Sequence, residues 1–567
     1  MSSPATETAA MSPTTRRWTL VAVILGSGIV FLDTSVVNLA LKAIGEELPR
    51  SFVGRIEGQA YITGGYFVTL SALLILAGAL NDFFGRRRVF ALGLAGFLAT
   101  SLLCGLAPNT ELLILFRILQ GAAGAFVVPG SLAIITASFE GEAQGRAFGI
   151  WAGASAATSI LGPFVGGVLV NSISWRAAFF VNVPFLLVAL WATRAHVPES
   201  RDETASGHFD WLGSVVIVLA VGGLAFGTIR GQQDQWQSSA AFISLAIGGL
   251  AAIAFPILMV KRSNPLAPPS LFRSRNFTVT NLSTFVIYGA LYVFLTFQGL
   301  FLIGTLGYNE PAAGIAGLPA TLLLALFSTR FGKLAARYGP RLFMTAGPAI
   351  MAVGTLWLVR IPAGSAAWVF GTGPGQRILP PGDYFLDLLP AFLVFGAGLM
   401  VMVAPLTTAL MNSVPRRNSG VASAINNAIS RVGSPLVTAV IFVAIVSSFY
   451  SSIQRQVPGV DTSSSDFRNE VAALNPPPED ADPRLANAIR TASTDAFHLA
   501  VVVGAALLLL GAAINAAGIR NPDPRTPPWA DASVRAEGEA EPLSAPAPAP
   551  SHAKRGARER HEHPPPH

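Results

Sequence analysis

The chain has 567 residues, of which 52% are hydrophobic and only 12% are charged. Soluble globular proteins carry roughly 25% charged residues, so too few charges are present to cover a water-facing surface of this size. The composition therefore excludes a soluble protein and indicates an integral membrane protein. The single cysteine, Cys104, excludes an intramolecular disulfide and a cysteine-based metal site.

Apolar stretches of about 20 residues, the length needed to cross the hydrocarbon core, recur along the whole chain. They predict an all-α integral membrane fold with fourteen transmembrane helices, at residues 18–41, 59–80, 89–107, 111–139, 145–170, 177–194, 211–229, 240–260, 277–303, 311–331, 341–359, 386–411, 420–449 and 496–519.

The polar segments between and around these spans divide the chain further. Residues 1–17 are predicted to be a cytoplasmic segment, residues 450–494 an external loop, and residues 520–567 a disordered cytoplasmic tail. Four histidines of that tail, at positions 552, 561, 563 and 567, leave a metal site open, although a solvated low-complexity segment is the commoner origin of such a cluster.

The basic residues predict the orientation. Lys and Arg cluster in alternate loops, for example at Arg86–Arg88 and at Arg416 and Arg417, whereas the loops at 108–110 and 304–310 carry none. Because Lys and Arg are retained in the cytoplasm, both termini are expected there, in a multi-pass protein of the cell (inner) membrane. The net charge of +7 has the same origin and does not indicate a nucleic-acid partner.

An internal repeat is visible. Residues 78–87 follow the second span and residues 332–341 the tenth, and Gly, Leu, Gly and Arg fall in register between the two segments. A fainter echo pairs Pro129 and Gly145 with Pro405 and Gly420. The repeat predicts two related six-helix bundles, 18–194 and 277–519, with two additional central helices at 211–260. Repeated bundles with a site at their interface are the usual plan of secondary transporters.

Two charged residues lie deep within the predicted spans, Asp33 in the first and Arg117 in the fourth. A carboxylate at that depth costs several kcal/mol unless it is paired, wetted or protonated. At 1.5 Å per residue, Arg117 lies about 9 Å and Asp33 about 12 Å below the same face. The depths predict a charge pair or a shared pocket in which Asp33 exchanges protons. A structural Asp and a snorkelling Arg are the alternatives.

Other polar and aromatic residues of the spans are candidates for a substrate cavity. A stripe of aromatic residues on the ninth span could receive planar or cationic molecules through stacking and cation–π contacts, although packing or lipid-facing aromatics are commoner. Arg431 is a second buried cation, which either holds the bundles together or contacts substrate. The candidates are Gln120, Tyr288, Tyr292, Asn426, Asn427 and Arg431.

Two further groups of residues are predicted to have conformational roles. A cytoplasmic loop could be locked to an adjacent helix end through charge and dipole by Gly78, Asp82, Gly85, Arg86, Arg87 and Arg88. Close helix packing with one broken helix hydrogen bond is expected in the fifth span, from Gly149, Gly162, Pro163, Gly166 and Gly167.

These motifs resemble the major facilitator superfamily, and specifically its fourteen-helix drug:proton antiporter branch. The loop from Gly78 to Arg88 is similar to the superfamily's loop signature. Asp33 and the Thr-Ser-Val-Val-Asn that follows it resemble the first-helix signature of the branch. Arg117 with Gln120, Gly121 and Gly124 resembles the fourth-helix motif, and the glycines of the fifth span the antiporter motif. Thr158 and Ala336 depart from the pattern, where a glycine and an acid would align.

The resemblance implies a monomeric secondary transporter without cofactors, in which two bundles alternate access to a central cavity. It would export small amphiphilic or cationic toxic compounds in exchange for protons, and Asp33 and Arg117 would couple the two fluxes. A transporter of the same fold that exports an endogenous metabolite, lipid or siderophore is the first alternative. A membrane-embedded enzyme or receptor is the second, but the sequence contains no convergent catalytic cluster and no folded soluble domain.

Overall fold

The computed structural model describes residues 11–51, 55–201, 208–233, 237–478 and 480–521. Every regular element within these ranges is a helix, and thirteen of the helices are long and apolar enough to cross a membrane. The predicted span 145–170 falls in a further helix of 32 residues, Gly141–Ser172. The predicted all-α membrane fold is therefore confirmed.

The helices, numbered in chain order, are α1 Pro13–Glu47, α2 Arg55–Phe84, α3 Arg86–Gly105, α4 Thr110–Ser138, α5 Gly141–Ser172, α6 Ala177–Phe180, α7 Asn182–His196, α8 Trp211–Gln233, α9 Ser239–Lys261, α10 Arg275–Leu300, α11 Glu310–Ala316, α12 Leu318–Tyr338, α13 Arg341–Trp357, α14 Leu389–Asn412, α15 Ser419–Gln456, α16 Ser465–Glu470 and α17 Pro483–Gly518. We call the end of the molecule where α1 begins and α17 ends the terminal end, and the opposite end the far end.

Two bundles account for most of the packing. In the N bundle, α2 and α3 pack on α4, and α1 packs on α5 and α7. In the C bundle, α10 packs on α15 and α17, and α14 lies between α12 and α13. One apolar cluster fills the N bundle and continues into the terminal ends of α14 and α15, and a second cluster fills the C bundle. Because lipid replaces water around the outer faces, large apolar side chains are also exposed there, such as Leu92 and Leu326.

The two additional helices form a hairpin at the periphery. Helices α8 and α9 pack closely where Gly223 meets Gly248, and α8 also packs on α2 and α15. Most of α9 faces outward, with exposed side chains at Ile243, Leu250 and Val260. The helices are thus central only in the sequence. In space, α8 lies against one helix of each bundle.

The bundles meet through two glycine pairs near the terminal end. A Cβ added to Gly78 of α2 or to Gly420 of α15 would collide with the carbonyl oxygen of the other residue, and Gly145 of α5 and Gly332 of α12 meet in the same way. The predicted repeat aligns Gly78 with Gly332 and Gly145 with Gly420, so one internal symmetry relates both contacts. Only residues without a side chain permit this approach.

The loop predicted at 450–494 is shorter than expected. Helix α15 continues to Gln456 and α17 already begins at Pro483, with α16 between them. Hydropathy marks only the apolar part of a helix, whereas these helices extend with polar residues until Pro458 follows α15, and Asp482 caps α17 by accepting a hydrogen bond from the Arg484 backbone N–H (2.7 Å).

The predicted terminal segments are only partly described. Residues 11 and 12 precede α1, which begins five residues before the predicted first span. The predicted tail lies outside the described residues from position 522 onward. At the far end, residues 361–383 form a connection that packs on the α10–α11 turn, where Asn309 donates a hydrogen bond to the Phe370 carbonyl (2.9 Å).

Gly78→Val tests the close contact between the bundles. A valine side chain would force α2 and α15 apart, and overpacking of this kind costs about 1–3 kcal/mol. We expect a lower midpoint of thermal unfolding for the purified protein, followed by intrinsic fluorescence. Gly249→Val is the matched control, because a Cβ added at Gly249 meets nothing within 4 Å. Equal midpoints for both variants and the wild type would contradict this packing.

Candidate functional site

Asp33 lies in the middle of α1 and points into the N bundle. Its exposed fraction is 0%, and that of Arg117 on α4 is 1%. Arg117 Nη1 lies 2.5 Å from Asp33 Oδ2. The structure thus brings together the two residues whose depths match in the sequence. Because both charges are removed from water, each depends on the other for compensation.

The Asp33 carboxylate accepts two further hydrogen bonds, both at Oδ1. Gln120 Nε2 donates one from α4 (3.1 Å), and Asn182 Nδ2 donates the other from the start of α7 (2.9 Å). Ser101 Oγ on α3 accepts from both amides, at 2.8 Å and 3.3 Å. All three groups that contact the carboxylate are donors, so the surroundings match its ionised, acceptor-only form.

Arg117 is held by partners on several helices. Its Nη1 also donates to Gln120 Oε1 (2.6 Å), and its Nε donates to the Ile62 carbonyl on α2 (3.3 Å). The guanidinium lies 4.1 Å from the centre of the Tyr66 ring and 5.9 Å from that of Phe179. Tyr66 in turn donates to the Val30 carbonyl on α1 (3.3 Å). The cluster therefore connects α1, α2, α3, α4, α6 and α7 in one polar centre.

The sequence predicts that Gln120 lines a substrate cavity. In the structure Gln120 is instead buried inside the N bundle as part of this polar centre. Sequence reasoning did not assign Asn182 and Ser101 to the site. Asn182 carries a signal, since it is an amide in an apolar span. Ser101 carries none, because serine is common in membrane helices.

The predicted loop lock joins the two bundles. Asp82, at the end of α2, accepts hydrogen bonds from Gly420 N (3.0 Å) and Val421 N (2.9 Å) in the first turn of α15. An unsatisfied helix N-terminus favours a carboxylate at this place. Arg86 binds the same carboxylate at 2.9 Å and donates to the Arg416 carbonyl. At the other glycine pair, Ala336 lies beside Gly145 and offers no carboxylate.

The remaining residues of this loop act within the N bundle. Gly85 has a φ of +109° and lies against Glu199, whose Oε1 accepts from the Arg87 backbone N–H (3.0 Å). A side chain at Gly85 would be strained by the backbone conformation. Arg87 and Arg88 lie 3.7 Å and 3.6 Å from the Glu199 carboxylate. The loop is thereby tied to the segment after α7.

The glycines of α5 lie against both bundles. Gly149 contacts α12, where Ser328 Oγ donates to its carbonyl (2.8 Å). Gly162 and Gly166 contact Ser35 and Val36 of α1. The surroundings of Pro163 and Gly167 lie outside what the structure describes. Helix α5 therefore connects the segment of α1 that carries Asp33 to the bundle interface at α12.

The cavity candidates of the C bundle separate into two groups. Asn426 is buried between helices and donates to Asn281 (3.1 Å) and Thr284 (2.9 Å) of α10, so it does not line a cavity. Tyr292 is exposed, and Tyr288 is half-buried. Asn427 and Arg431, both on α15, are also half-buried.

Residues 23–438 match the family model of the Major Facilitator Superfamily. The chain belongs to this superfamily. It is 31% identical to "Multidrug resistance protein Stp" of Mycobacterium tuberculosis (strain CDC 1551 / Oshkosh) over 75% of both chains. It is also 31% identical to the "Tetracenomycin C resistance and export protein" of Streptomyces glaucescens, over 76% of each. The major facilitator predicted from the motifs is thus confirmed, and the protein is a transporter rather than an enzyme.

Solved structures agree with this fold. The proton:xylose symporter XylE, bound to 6-bromo-6-deoxy-D-glucose, aligns over 91% of this chain and 98% of its own with a TM-score of 0.55 and 15% identity. The human organic anion transporter MFSD10 aligns over 89% of this chain and 100% of its own with a TM-score of 0.54 and 13% identity. At such identities the likeness concerns the fold alone.

A pair of variants tests the buried charge pair of this major facilitator. Arg117→Gln leaves Asp33 without its cation, which should cost about 3–5 kcal/mol and lower the midpoint of thermal unfolding. Adding Asp33→Asn removes the uncompensated charge, so the double variant should unfold at a higher temperature than Arg117→Gln. Arg417→Gln, at an exposed position of the terminal end, is the control. Additive losses in the double variant would refute the pairing.

Proposed function

We propose that this transporter exports small amphiphilic toxic compounds in exchange for protons, by alternating access between its two bundles. The observation that carries the proposal is the sealed centre around Asp33, a carboxylate ringed by Arg117, Gln120 and Asn182. A charge buried this deeply in a membrane protein normally serves transport. The antibiotic-resistance names of its relatives support efflux.

The proton would act by breaking this centre. Every contact to the Asp33 carboxylate comes from a donor. A proton on Oδ1, which already accepts two hydrogen bonds, would place a donor against a donor, and a proton on Oδ2 would remove the negative charge that binds Arg117. Arg117 would then be free to move with its contacts on α2, the Ile62 carbonyl and the Tyr66 ring. Protonation would thus loosen α1 from α2 and α4.

Helix α5 would transmit the change to the bundle interface. It touches α1 through Gly162 and Gly166, and it touches α12 through Gly145 and Gly149. With both termini in the cytoplasm, the terminal end would be the cytoplasmic face of the inner membrane. The bundles would then be closed toward the cytoplasm while Asp33 is ionised and ready to take a proton from outside. The membrane potential would add roughly 2.3 kcal/mol per charge per 100 mV to proton entry.

Asp33→Asn tests the coupling. The variant keeps the size of the side chain but cannot ionise, so we expect loss of substrate accumulation driven by an imposed pH gradient. Transport would be measured in proteoliposomes that are acidic inside. Asp480→Asn, an exposed carboxylate of the far-end loop, is the matched control. Gradient-driven transport that persists in Asp33→Asn would remove Asp33 from the mechanism.

Asp82→Asn tests the lock between the bundles. Hydrogen bonds to a charged group contribute about 1.5–3 kcal/mol each, and this variant weakens those from Gly420, Val421 and Arg86. The state closed at the terminal end should become less populated. We expect a severalfold lower transport rate in the same proteoliposomes, with the dependence on the pH gradient retained. A rate equal to that of Asp480→Asn would show that the lock does not limit the cycle.

The alternative function is export of an endogenous metabolite, lipid or siderophore by the same machinery. A resistance assay distinguishes it from the export of toxic compounds. Expression in a pump-deficient host should lower its susceptibility to part of a panel of dyes and biocides, and the Asp33→Asn variant should abolish that effect. Unchanged susceptibility to the whole panel would favour the endogenous substrate.

A further inference from the structure

Arg431 lies on the side of α15 that faces the N bundle. Near the start of that helix, Gly420 and Ala424 both touch Gly78 of α2. Positions 427 and 431 follow on the same helical face, because residues three and four apart lie above one another. The opposite face, with Asn426 and Gly433, packs on α10 instead. The Arg431 side chain is therefore directed at the boundary between the bundles.

Burial along this face decreases away from the terminal end. Gly420 and Ala424 are buried, whereas Asn427 and Arg431 are half-buried. None of the described residues between 419 and 434 is exposed, so this part of α15 does not face lipid. The accessible surface of Arg431 thus belongs to a cleft between the bundles. At 1.5 Å per residue, Arg431 lies about 18 Å from the start of α15.

The charge of Arg431 is not compensated. It has no hydrogen-bond or ion-pair partner within the described part of the chain. Its charge interacts with Tyr66 of the N bundle, whose ring lies against the Arg117 guanidinium. Among the helices that pack on α15, α8, α10 and α14 contain neither Asp nor Glu. Asp82 of α2 is paired with Arg86, and Asp495 of α17 accepts a hydrogen bond from Ser452 near the far end. Asp33 is sealed inside the N bundle with Arg117.

We propose that Arg431 binds an anionic group of the exported substrate, which is then an amphiphilic anion such as an aromatic carboxylate or sulfonate. This inference rests on the proposed export function and reverses the cationic preference expected from the sequence. A guanidinium presents five donors in a planar fork that matches an oxyanion. An unpaired cation in a cleft of low dielectric attracts an anion and repels a cation.

The assignment has a consequence for energetics. Export of a monovalent anion in exchange for one proton moves two positive charges inward per cycle, whereas export of a neutral molecule moves one. An imposed potential, negative on the cytoplasmic side, should therefore accelerate the anion more than an uncharged molecule of the same shape.

A matched pair of probes tests the site. Anilinonaphthalene sulfonate and its uncharged parent, phenylnaphthylamine, share one ring system, and ethidium supplies a cation. Uptake would be measured in proteoliposomes that are acidic inside, for wild type, Arg431→Gln, Arg431→Lys and the control Arg455→Gln, an exposed arginine of the same helix. We expect wild type to prefer the sulfonate. We expect Arg431→Gln to lose about tenfold of the sulfonate rate, as for one charge-assisted hydrogen bond, with the neutral rate within about twofold.

Further readouts separate recognition from folding. Arg431→Lys should recover part of the sulfonate transport, because the charge is kept, and Arg455→Gln should match wild type. Equal loss of both probes in Arg431→Gln would indicate a structural role and overturn the proposal, as would wild-type preference for ethidium or for the neutral probe. A third outcome separates the two proposals. If Asp33→Asn abolishes proton-driven transport but the transport rate does not depend on the charge of the probe, the role of Arg431 is overturned and the export function remains.

Discussion

The ion pair between Asp33 and Arg117 is the interaction on which the rest of the structure depends. Both side chains are buried, so each charge is tolerable only while the other is in place. The remaining hydrogen bonds of the pair reach Gln120 on α4, Asn182 on α7 and the Ile62 carbonyl on α2. In the proposed coupling, a change in the charge of Asp33 would be answered by movement of these helices, because both side chains of the pair are buried.

The contact between the bundles depends on close backbone packing rather than on a buried ion pair. It consists of backbone against backbone at Gly78 and Gly420, with the Asp82 carboxylate on the first N–H groups of α15. Such a surface is flat and buries few side chains, so it can form and separate without repacking a core. The second glycine pair, Gly145 and Gly332, lacks the carboxylate. The contact between α2 and α15 therefore has polar bonds that the contact between α5 and α12 lacks at its glycine pair.

Much of the fold could be read from composition and spacing, because the bilayer imposes one length and one hydrogen-bonding solution on every span. The same constraint makes Asp33 and Arg117 conspicuous, since a charge stands out in an apolar segment. Ser101 and Tyr66 could not be found this way, because both are ordinary residues of membrane helices. The peripheral position of α8 and α9 was not predicted from the sequence either, because hydropathy indicates which segments cross the membrane but not which helices they pack against.

The sequence by itself determined the all-α membrane fold, the resemblance to the superfamily and the depth of the charges along each helix. Only the tertiary structure decided which of these charges compensate one another: Asp33 is enclosed with Arg117, whereas Arg431 is half-buried and has no hydrogen-bond or ion-pair partner in the described part of the chain. The physical reason is that depth follows from counting residues along one helix. Pairing depends on the rotation of each helix and on its neighbours, which are set by packing among helices distant in sequence.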